Sequence, residues 1–420
     1  MTEGSLIRRL PLELLAEVFE RTISTDHSRW ITSTRETPWI LGHVSSTWRR
    51  LALSLPSLWS SISIDGYHKH TVQMLRVLLT RSGTAPLTLR LYLSFMKVDQ
   101  MKELYLILCG ERRRWKSISI TLESYYGGAA APFVTLLKAP ADYPILESFD
   151  LVMDVPFGVV YLPAGSFDRA PMLHTVRMRP LLTIDLPWSR ITTFSTSAFT
   201  VEQQFMILRE SPQLQTLEIE SYRGTHMPPA ADSYPLLHPS LATLEVPNIS
   251  SFPFLTLPAL TDLYVNNIVD TNDADNFSVF VRQSGCRLES LRFPFAAFSA
   301  SLVDTFAMQP NLRELHTVFF DGNVLPLLFA LSSAPLILPK LEELDLNQAY
   351  GVLNLPTVVT FATYRHENTP LRYLKMEGKT ILPKRPQAQS PYLASLRELR
   401  RNGLVIEIEE GGKDIMDDPF

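Results

Sequence analysis

The chain has 420 residues, which is too long for one ordinary hydrophobic core, so two compact parts or one elongated repeat body are expected. Apolar residues make up 45% and charged residues 20%, proportions that favour a folded protein over a disordered one. The formal charge of −4 gives no electrostatic reason to expect binding to nucleic acid or to an anionic membrane.

Cysteine content and the first residues indicate a compartment. Cys109 and Cys286 are too few for a disulfide framework or a four-ligand zinc site, which favours a reducing environment. Glu3, Arg8 and Glu13 lie too close together for the apolar segment of a secretion signal. Every apolar run is broken by charge or proline before the ~20 residues that a membrane helix needs. We therefore expect a soluble protein of the cytoplasm or nucleus, with no membrane partner.

Three short helices are predicted near the beginning of the chain. Within Leu10–Phe19 the apolar residues spread over roughly 200° of a helix at ~100° per residue, an arc too wide for packing on one side only. Pro11 suits the first turn of this helix. Thr37-Pro38 predicts the start of a second helix, and Ser45 or Ser46 can cap a third. Such small helices need a partner or the rest of the chain to cover them.

An ordered set of residues runs through these helices: Leu10, Pro11, Glu13, Leu14, Val18, Phe19, Val44, Trp48, Arg49, Leu51, Ala52, Pro56, Leu58 and Trp59. This set resembles the F-box family over roughly residues 6–62, in the F-box-like form abundant in mushroom-forming fungi. The resemblance implies that the helices bind the adaptor Skp1 and, through it, a cullin. The residues assigned to this contact are Leu10, Pro11, Leu14, Leu15, Val18, Phe19, Val44, Trp48, Leu51 and Trp59. Some are expected to face the partner and others their own core.

The sequence departs from the family pattern in two places. A polar insert from Ser24 to Glu36 lengthens the connection between the first two helices, and Ser45 stands where many members have cysteine. The insert is expected to alter or weaken docking, whereas the serine is expected to change only local packing. The same residues also fit an alternative in which the helices only cap the region that follows.

One phrase of the form Pro-x-Leu-x-x-Φ-x-Φ, where Φ is apolar, recurs beyond residue 80. Its first leucine falls at positions 146, 173, 214, 241, 260, 288, 312, 341 and 371. Most steps between these leucines match the periods of leucine-rich repeats. Alternation after the leucine predicts a short strand, and the proline ends the preceding helix. The long interval after 173 is expected to hide a degenerate unit at Ile191–Ser195, and the short step from 241 to 260 a tight loop.

Earlier segments extend this pattern towards the helices. Strands are expected at Ser60–Ile64, Leu87–Leu93 and Ser117–Leu122, with helices near 71–80 and 99–109. Neighbouring repeats would bury one shared core that includes Leu214, Leu217, Leu241, Leu244, Leu312, Leu315, Leu341 and Leu344. The predicted fold class is α/β, with a three-helix F-box module at 1–62, a curved leucine-rich-repeat-like solenoid with a parallel sheet at 63–410, and a frayed acidic tail at 411–420.

The sequence predicts no catalytic site, metal site or cofactor. His68 and His70 have no cysteine or further histidine near them in sequence, so a solvated loop is expected there. Cys109 and Cys286 lack the context of an activated nucleophile. Arg112 to Arg114 are expected to close a helix, where cations oppose its dipole.

The combined patterns predict a non-catalytic substrate-recognition subunit of a Skp1–cullin–F-box ubiquitin ligase, which binds an unknown target protein through its repeats. The alternative is a leucine-rich-repeat interaction scaffold without a ligase role. Polar residues between the inward leucines should form columns on the concave face, with Glu218, Glu245, Tyr264, Arg292 and His316 at the centre of the target-binding surface. Solubility alone would also place polar residues there, whereas tyrosine is typical of binding hot spots.

Overall fold

The computed structural model describes residues 10–22, 37–66, 68–93, 98–123, 141–154, 165–179, 186–197, 200–222, 235–267, 273–296, 298–320, 324–332, 337–380, 391–410, 413–414 and 416. The chain divides into two compact units, Met1–Ser197 (unit 1) and Ala198–Phe420 (unit 2). Both are of the predicted α/β class. The predicted boundary at residue 62 falls inside unit 1, and the predicted insert from Ser24 to Glu36 lies outside the described residues.

Unit 1 begins with three short helices. They are α1 (Leu12–Arg21), α2 (Leu41–Val44) and α3 (Ser46–Ser54). Pro11 directly precedes α1. The hydroxyl of Ser45 accepts a hydrogen bond from the backbone N–H of Trp48 at 3.1 Å, which confirms Ser45 as the cap of α3. The second helix starts later than the predicted Thr37-Pro38, because residues 37–40 form a turn.

The rest of unit 1 alternates strands with helices or loops. The elements are β1 (Ser61–Asp65), α4 (Thr71–Ser82), β2 (Leu87–Tyr92), α5 (Val98–Gly110), β3 (Trp115–Glu123), β4 (Ser148–Asp154), β5 (Thr175–Arg179) and β6 (Thr193–Thr196). Strands β1 to β6 pair in sequence order, and each is parallel to its neighbours. The early strands and the degenerate unit at Ile191–Ser195 are thereby confirmed.

Unit 2 repeats the same alternation. Its elements are α6 (Val201–Glu210), β7 (Thr216–Ile219), β8 (Leu236–Leu237), β9 (Thr243–Val246), β10 (Leu255–Thr256), β11 (Asp262–Val265), α7 (Asp273–Ser284), β12 (Ser290–Phe295), α8 (Ala300–Ala307), β13 (Glu314–Phe319), α9 (Leu325–Leu331), β14 (Glu343–Leu353), α10 (Leu355–Asn368), β15 (Tyr373–Thr380), α11 (Pro391–Arg401), β16 (Val405–Glu410) and β17 (Lys413–Asp414). In the main sheet, β7, β9 and β11 to β16 pair in that order and are parallel. Strands β8 and β10 form a separate pair, and a 3-10 turn at Phe252–Phe254 fills the short step predicted to be a tight loop.

The inward positions of the repeated phrase form the core. All eight leucines predicted to be buried in unit 2 have an exposed fraction of 0%. Burial alternates along β13 as the phrase predicts. The helices cover this face: the ring of Phe277 in α7 lies 4.9 Å from that of Phe293 in β12. The strands therefore bury one face against the helices and leave the other for polar residues.

The end of the chain departs from the predicted frayed tail. Lys413–Asp414 forms β17, which pairs antiparallel with β16. The Asp414 carboxylate accepts hydrogen bonds from the backbone N–H groups of Ile408 at 3.3 Å and Met416 at 2.9 Å. Met416 is buried. These contacts attach the described part of residues 411–420 to the last parallel strand.

Candidate protein-binding surfaces

The ten residues assigned to Skp1 binding separate into three groups by burial. Exposed at the surface are Leu10, Pro11, Leu14, Val18 and Val44. Half-buried are Trp48 and Leu51, and buried are Leu15, Phe19 and Trp59. The sequence had left open which residues face outward, and the structure decides it for each position.

The buried group ties the helices to the first strand–helix unit. The rings of Phe19 and Trp48 are 4.8 Å apart, so α1 packs on α3. Trp59 packs edge-on against Trp39, with ring centroids 5.2 Å apart. The Arg81 guanidinium of α4 lies 4.3 Å from the Trp59 ring and 4.7 Å from the Trp39 ring. The side chains of this group are therefore already used within unit 1.

Two members of the exposed group, Leu14 and Val18, lie in α1 beside its buried face. Leu14 and Val18 are one helical turn apart, as are the buried Leu15 and Phe19, so the wide apolar arc divides into an outer and an inner face. Seven of the eighteen exposed large apolar side chains among the described residues fall between residues 10 and 53. They are Leu10, Leu12, Leu14, Val18, Ile40, Val44 and Leu53. Exposed large apolar side chains are therefore concentrated in the described part of the helical module.

The five residues assigned to target binding lie in one row across unit 2. Glu218 pairs with Glu245, Glu245 with Tyr264, Tyr264 with Arg292, and Arg292 with His316. The same row continues on the following strands through Asp345, Lys375 and Glu407. Arg292 is exposed, and the other four assigned residues are half-buried. The row that the repeat period predicted is therefore present.

Side chains along this row contact one another. The Arg292 guanidinium lies 5.7 Å from the centroid of the Tyr264 ring. His316 Nδ1 lies 3.5 Å from an Asp345 carboxylate oxygen, a contact that is ionic only when the imidazole is protonated. Lys375 also reaches the adjacent row, where its ammonium lies 2.9 Å from the Glu409 carboxylate. Neighbouring strands thus hold the row in fixed positions.

A groove of about 280 Å³ opens on this part of the sheet. Its lining includes Arg292, His316, Asp345, Lys375 and Glu377. Of the five assigned residues, only Arg292 and His316 are among its lining residues. Glu377 and Asn347, which also line it, were missed, because they lie one residue beyond the end of the repeated phrase. The same alternation extended by one step would have indicated them.

The two cysteines and the basic cluster near Arg114 have defined surroundings in the fold. Burial raises the pKa of the Cys109 thiol, an effect that Arg112 partly offsets, and burial raises that of Cys286 to about 11. Arg114 follows α5 and pairs with Glu111 at 2.9 Å, while it donates to the Ser82 hydroxyl at 2.8 Å. Within the described ranges, no group of three or more metal-ligating side chains could hold an ion, and no helix is long and apolar enough to cross a membrane.

The fold and these surfaces define a class of protein: an α/β chain of successive strand–helix units with an exposed apolar helix face and a polar row on its strands. No protein-family model matches the chain, and no curated protein matches it.

Proposed function

We propose that this chain is the substrate-recognition subunit of a Skp1–cullin–F-box ubiquitin ligase. Its N-terminal helices hold Skp1, and the polar strand face of unit 2 holds a target protein. Catalysis then comes from proximity, because a separate enzyme carries the ubiquitin and this chain only brings the target near it. Each unit is, in this proposal, leucine-rich-repeat-like, which the parallel strands within it support.

The observation that carries the proposal is the division of the apolar residues of α1. Leu15 and Phe19 are buried in the helical module, so folding alone explains why they are apolar. Leu14 and Val18 on the other face are about half exposed, at 50% and 47%. Folding does not require them to be apolar, whereas a partner that covers them does.

The alternative, in which the helices only cap the region that follows, accounts for the buried apolar residues of the helical module but not for the exposed ones. The contacts of Trp59, Trp39 and Arg81 show how the helices cover the first strand–helix unit. A module that only capped this unit would carry polar residues on its outer face, as the terminal repeats of solenoids do. The exposed leucines and valines therefore favour docking in addition to capping.

Replacement of Leu14 and Val44 by alanine tests the docking surface. Both side chains are exposed, so the variant should remain folded. Each truncation removes part of a burial worth ~1.5–3 kcal/mol for a whole side chain, so the pair should weaken Skp1 binding by roughly tenfold or more. The measurement is calorimetric titration of the purified full chain with Skp1.

The matched control replaces Leu106 and Val279 by alanine. These residues are exposed to a similar or larger extent, at 65% and 53%, but lie on α5 and α7. Skp1 affinity should then be unaltered. Equal affinities for the parent chain and the Leu14/Val44 variant would contradict docking through this face.

The second candidate function is an interaction scaffold without a ligase role. It is favoured by the position of the polar row and its groove in unit 2, on strands that lie outside the helical module. Absence of Skp1 binding by the parent chain, together with retained binding of a target, would select the scaffold.

A further inference from the structure

Charge is distributed unevenly over the strand faces. In unit 2, the three outward rows that pass through Glu314, His316 and Val318 contain nine carboxylates and two cations, a formal charge of −7 with histidine neutral. The three equivalent rows of unit 1 contain two carboxylates and three cations. The whole chain has a formal charge of only −4. The acidic surface therefore belongs to the strand face of unit 2 and not to the composition of the chain.

Several of these carboxylates lie directly beside one another. Glu218 is in register with Glu245, and Glu314 is in register with Glu343. Glu377 is in register with Glu409. Like charges at directly opposite positions destabilise a sheet. Lys375 pairs with Glu409 at 2.9 Å and Arg372 pairs with Glu343 at 3.2 Å, so the chain itself offsets part of this repulsion. The excess of carboxylates over cations on these rows remains, and a cationic partner would complement it.

Uncharged side chains hold some of these carboxylates in place. Glu314, Glu377 and Glu407 each accept a hydrogen bond from such a donor, at 3.1, 2.6 and 3.0 Å. The donors are Ser290, Asn347 and Tyr373, respectively. Because a neutral donor orients a carboxylate without cancelling its charge, these three groups remain available to attract a cation.

The titration of neighbouring groups agrees with a negative potential here. Burial, together with the hydrogen bond to Glu407 and the nearby carboxylates, raises the pKa of Tyr373 to about 12. The hydrogen bond to Glu409 raises the pKa of Lys375 as well. Both groups remain protonated at neutral pH, so the phenol continues to donate and does not add a further negative charge.

We infer that the strand face of unit 2 binds a basic, extended segment of the target protein, with lysine or arginine side chains placed against Glu314, Glu377 and Glu407. This inference rests on the proposed function, because it names the chemistry of the target. Alternate side chains of an extended segment point to one side, so a sequence with a cation at every second position fits the face. The Tyr264 ring, which the Arg292 guanidinium already approaches at 5.7 Å, offers a further contact for a cation.

The test uses the full chain and a fluorescent peptide of alternating lysine and glycine. A variant with Glu314→Gln, Glu377→Gln and Glu407→Gln keeps three acceptor oxygens for the donors but removes three charges. Exposed ion pairs contribute only modestly each, so the variant should bind the peptide about tenfold more weakly. Binding to the parent should also weaken as salt increases from low to physiological concentration.

The matched control carries Glu103→Gln, Glu210→Gln and Glu398→Gln. These exposed glutamates lie on α5, α6 and α11, so the control changes the net charge equally and leaves the strand face intact. It should bind the lysine peptide as the parent does. Equal weakening in both variants, no binding by the parent, or tighter binding of a glutamate–glycine peptide would each overturn the inference.

Skp1 affinity is measured on the same preparations to separate the two proposals. Unaltered Skp1 binding together with a negative peptide result rejects the basic-segment inference and leaves the receptor function standing. If the parent chain does not bind Skp1 but binds the lysine peptide specifically, the ligase function is rejected. The strand face of unit 2 then remains assigned to a basic segment.

Discussion

Both cysteine thiols are poor nucleophiles in this fold. Cys286 is buried at 3% exposure and its pKa is raised to about 11, while burial also raises the pKa of the half-buried Cys109. The thiolate is the form that attacks, so a catalytic cysteine needs a lowered pKa in an electropositive, accessible position. The environment of Cys286 acts in the opposite direction. Neither thiol therefore has the environment of an activated nucleophile.

Alkylation of the native chain by iodoacetamide checks this environment. At pH 8, Cys286 should react roughly a hundredfold more slowly than an unperturbed thiol of pKa ≈ 8.5, because so little of it is ionised. Its rate should increase with pH up to about 11 while the chain remains folded. Peptide mapping by mass spectrometry measures the rate, and the denatured chain, in which both cysteines should label rapidly, is the control. Rapid labelling of native Cys286 at neutral pH would contradict the burial.

At the residue scale, the sequence pattern could identify groups of apolar residues but could not tell which members are buried and which are exposed. Leu14 and Leu15 both lie in the apolar arc of α1, and only the packing of the module shows that Leu15 is inside. Arg365 is a clearer failure, since a polar residue of a helix is expected outside and this one is fully buried. Its guanidinium donates to the carbonyl oxygens of Ile337 at 2.5 Å and Leu338 at 3.0 Å. Those acceptors come from a separate segment, which no local pattern can indicate.

At the scale of elements, the repeated phrase predicted the parallel strands because each phrase contains an alternation, and seven of the nine phrases also begin with a proline that ends the preceding segment. Strands β8, β10 and β17 have two residues each, too few to show a period, and the sequence did not indicate them. Strand β14 runs from Glu343 to Leu353, beyond its phrase, and its register with β15 shifts between Asn347 and Val352. Such an irregularity depends on the neighbouring strand and not on the local sequence.

Truncation of an inward leucine tests whether the leucines of the repeated phrase form the core. Leu244→Ala in β9 and Leu344→Ala in β14 should each lower the free energy of unfolding by ~2–5 kcal/mol, since each side chain is fully buried and leaves a cavity. Leu53→Ala on the exposed face of α3 is the control and should cost less than about 0.5 kcal/mol. Urea unfolding followed by circular dichroism gives these values. A similar small loss at all three positions would show that the inward leucines are not core residues.

At the scale of the whole molecule, strand pairing follows the order of the chain. In unit 1 each of β1 to β6 pairs only with the strands next to it in sequence, among the described residues. In unit 2, β12 to β16 follow the same rule in the main sheet, whereas β11 pairs with β9 and β12 because β8 and β10 form a separate pair. When contacts join only neighbouring repeats, stability approximates a sum of repeat terms and nearest-neighbour terms, and local opening becomes possible. The alternative is a unit whose strands all open together in one cooperative step.

Hydrogen exchange can distinguish these two behaviours. Leu344→Ala should decrease amide protection most in β13, β14 and β15, which are its own strand and the two that pair with it, and least in β7 and β9 of the same unit. Leu89→Ala in β2 should likewise affect β1 to β3 more than β5 and β6. Exchange followed by mass spectrometry at moderate urea resolves the strands. Equal loss of protection across all strands of a unit would mean that the unit opens as a whole, and the repeat description of its energetics would then have to be abandoned.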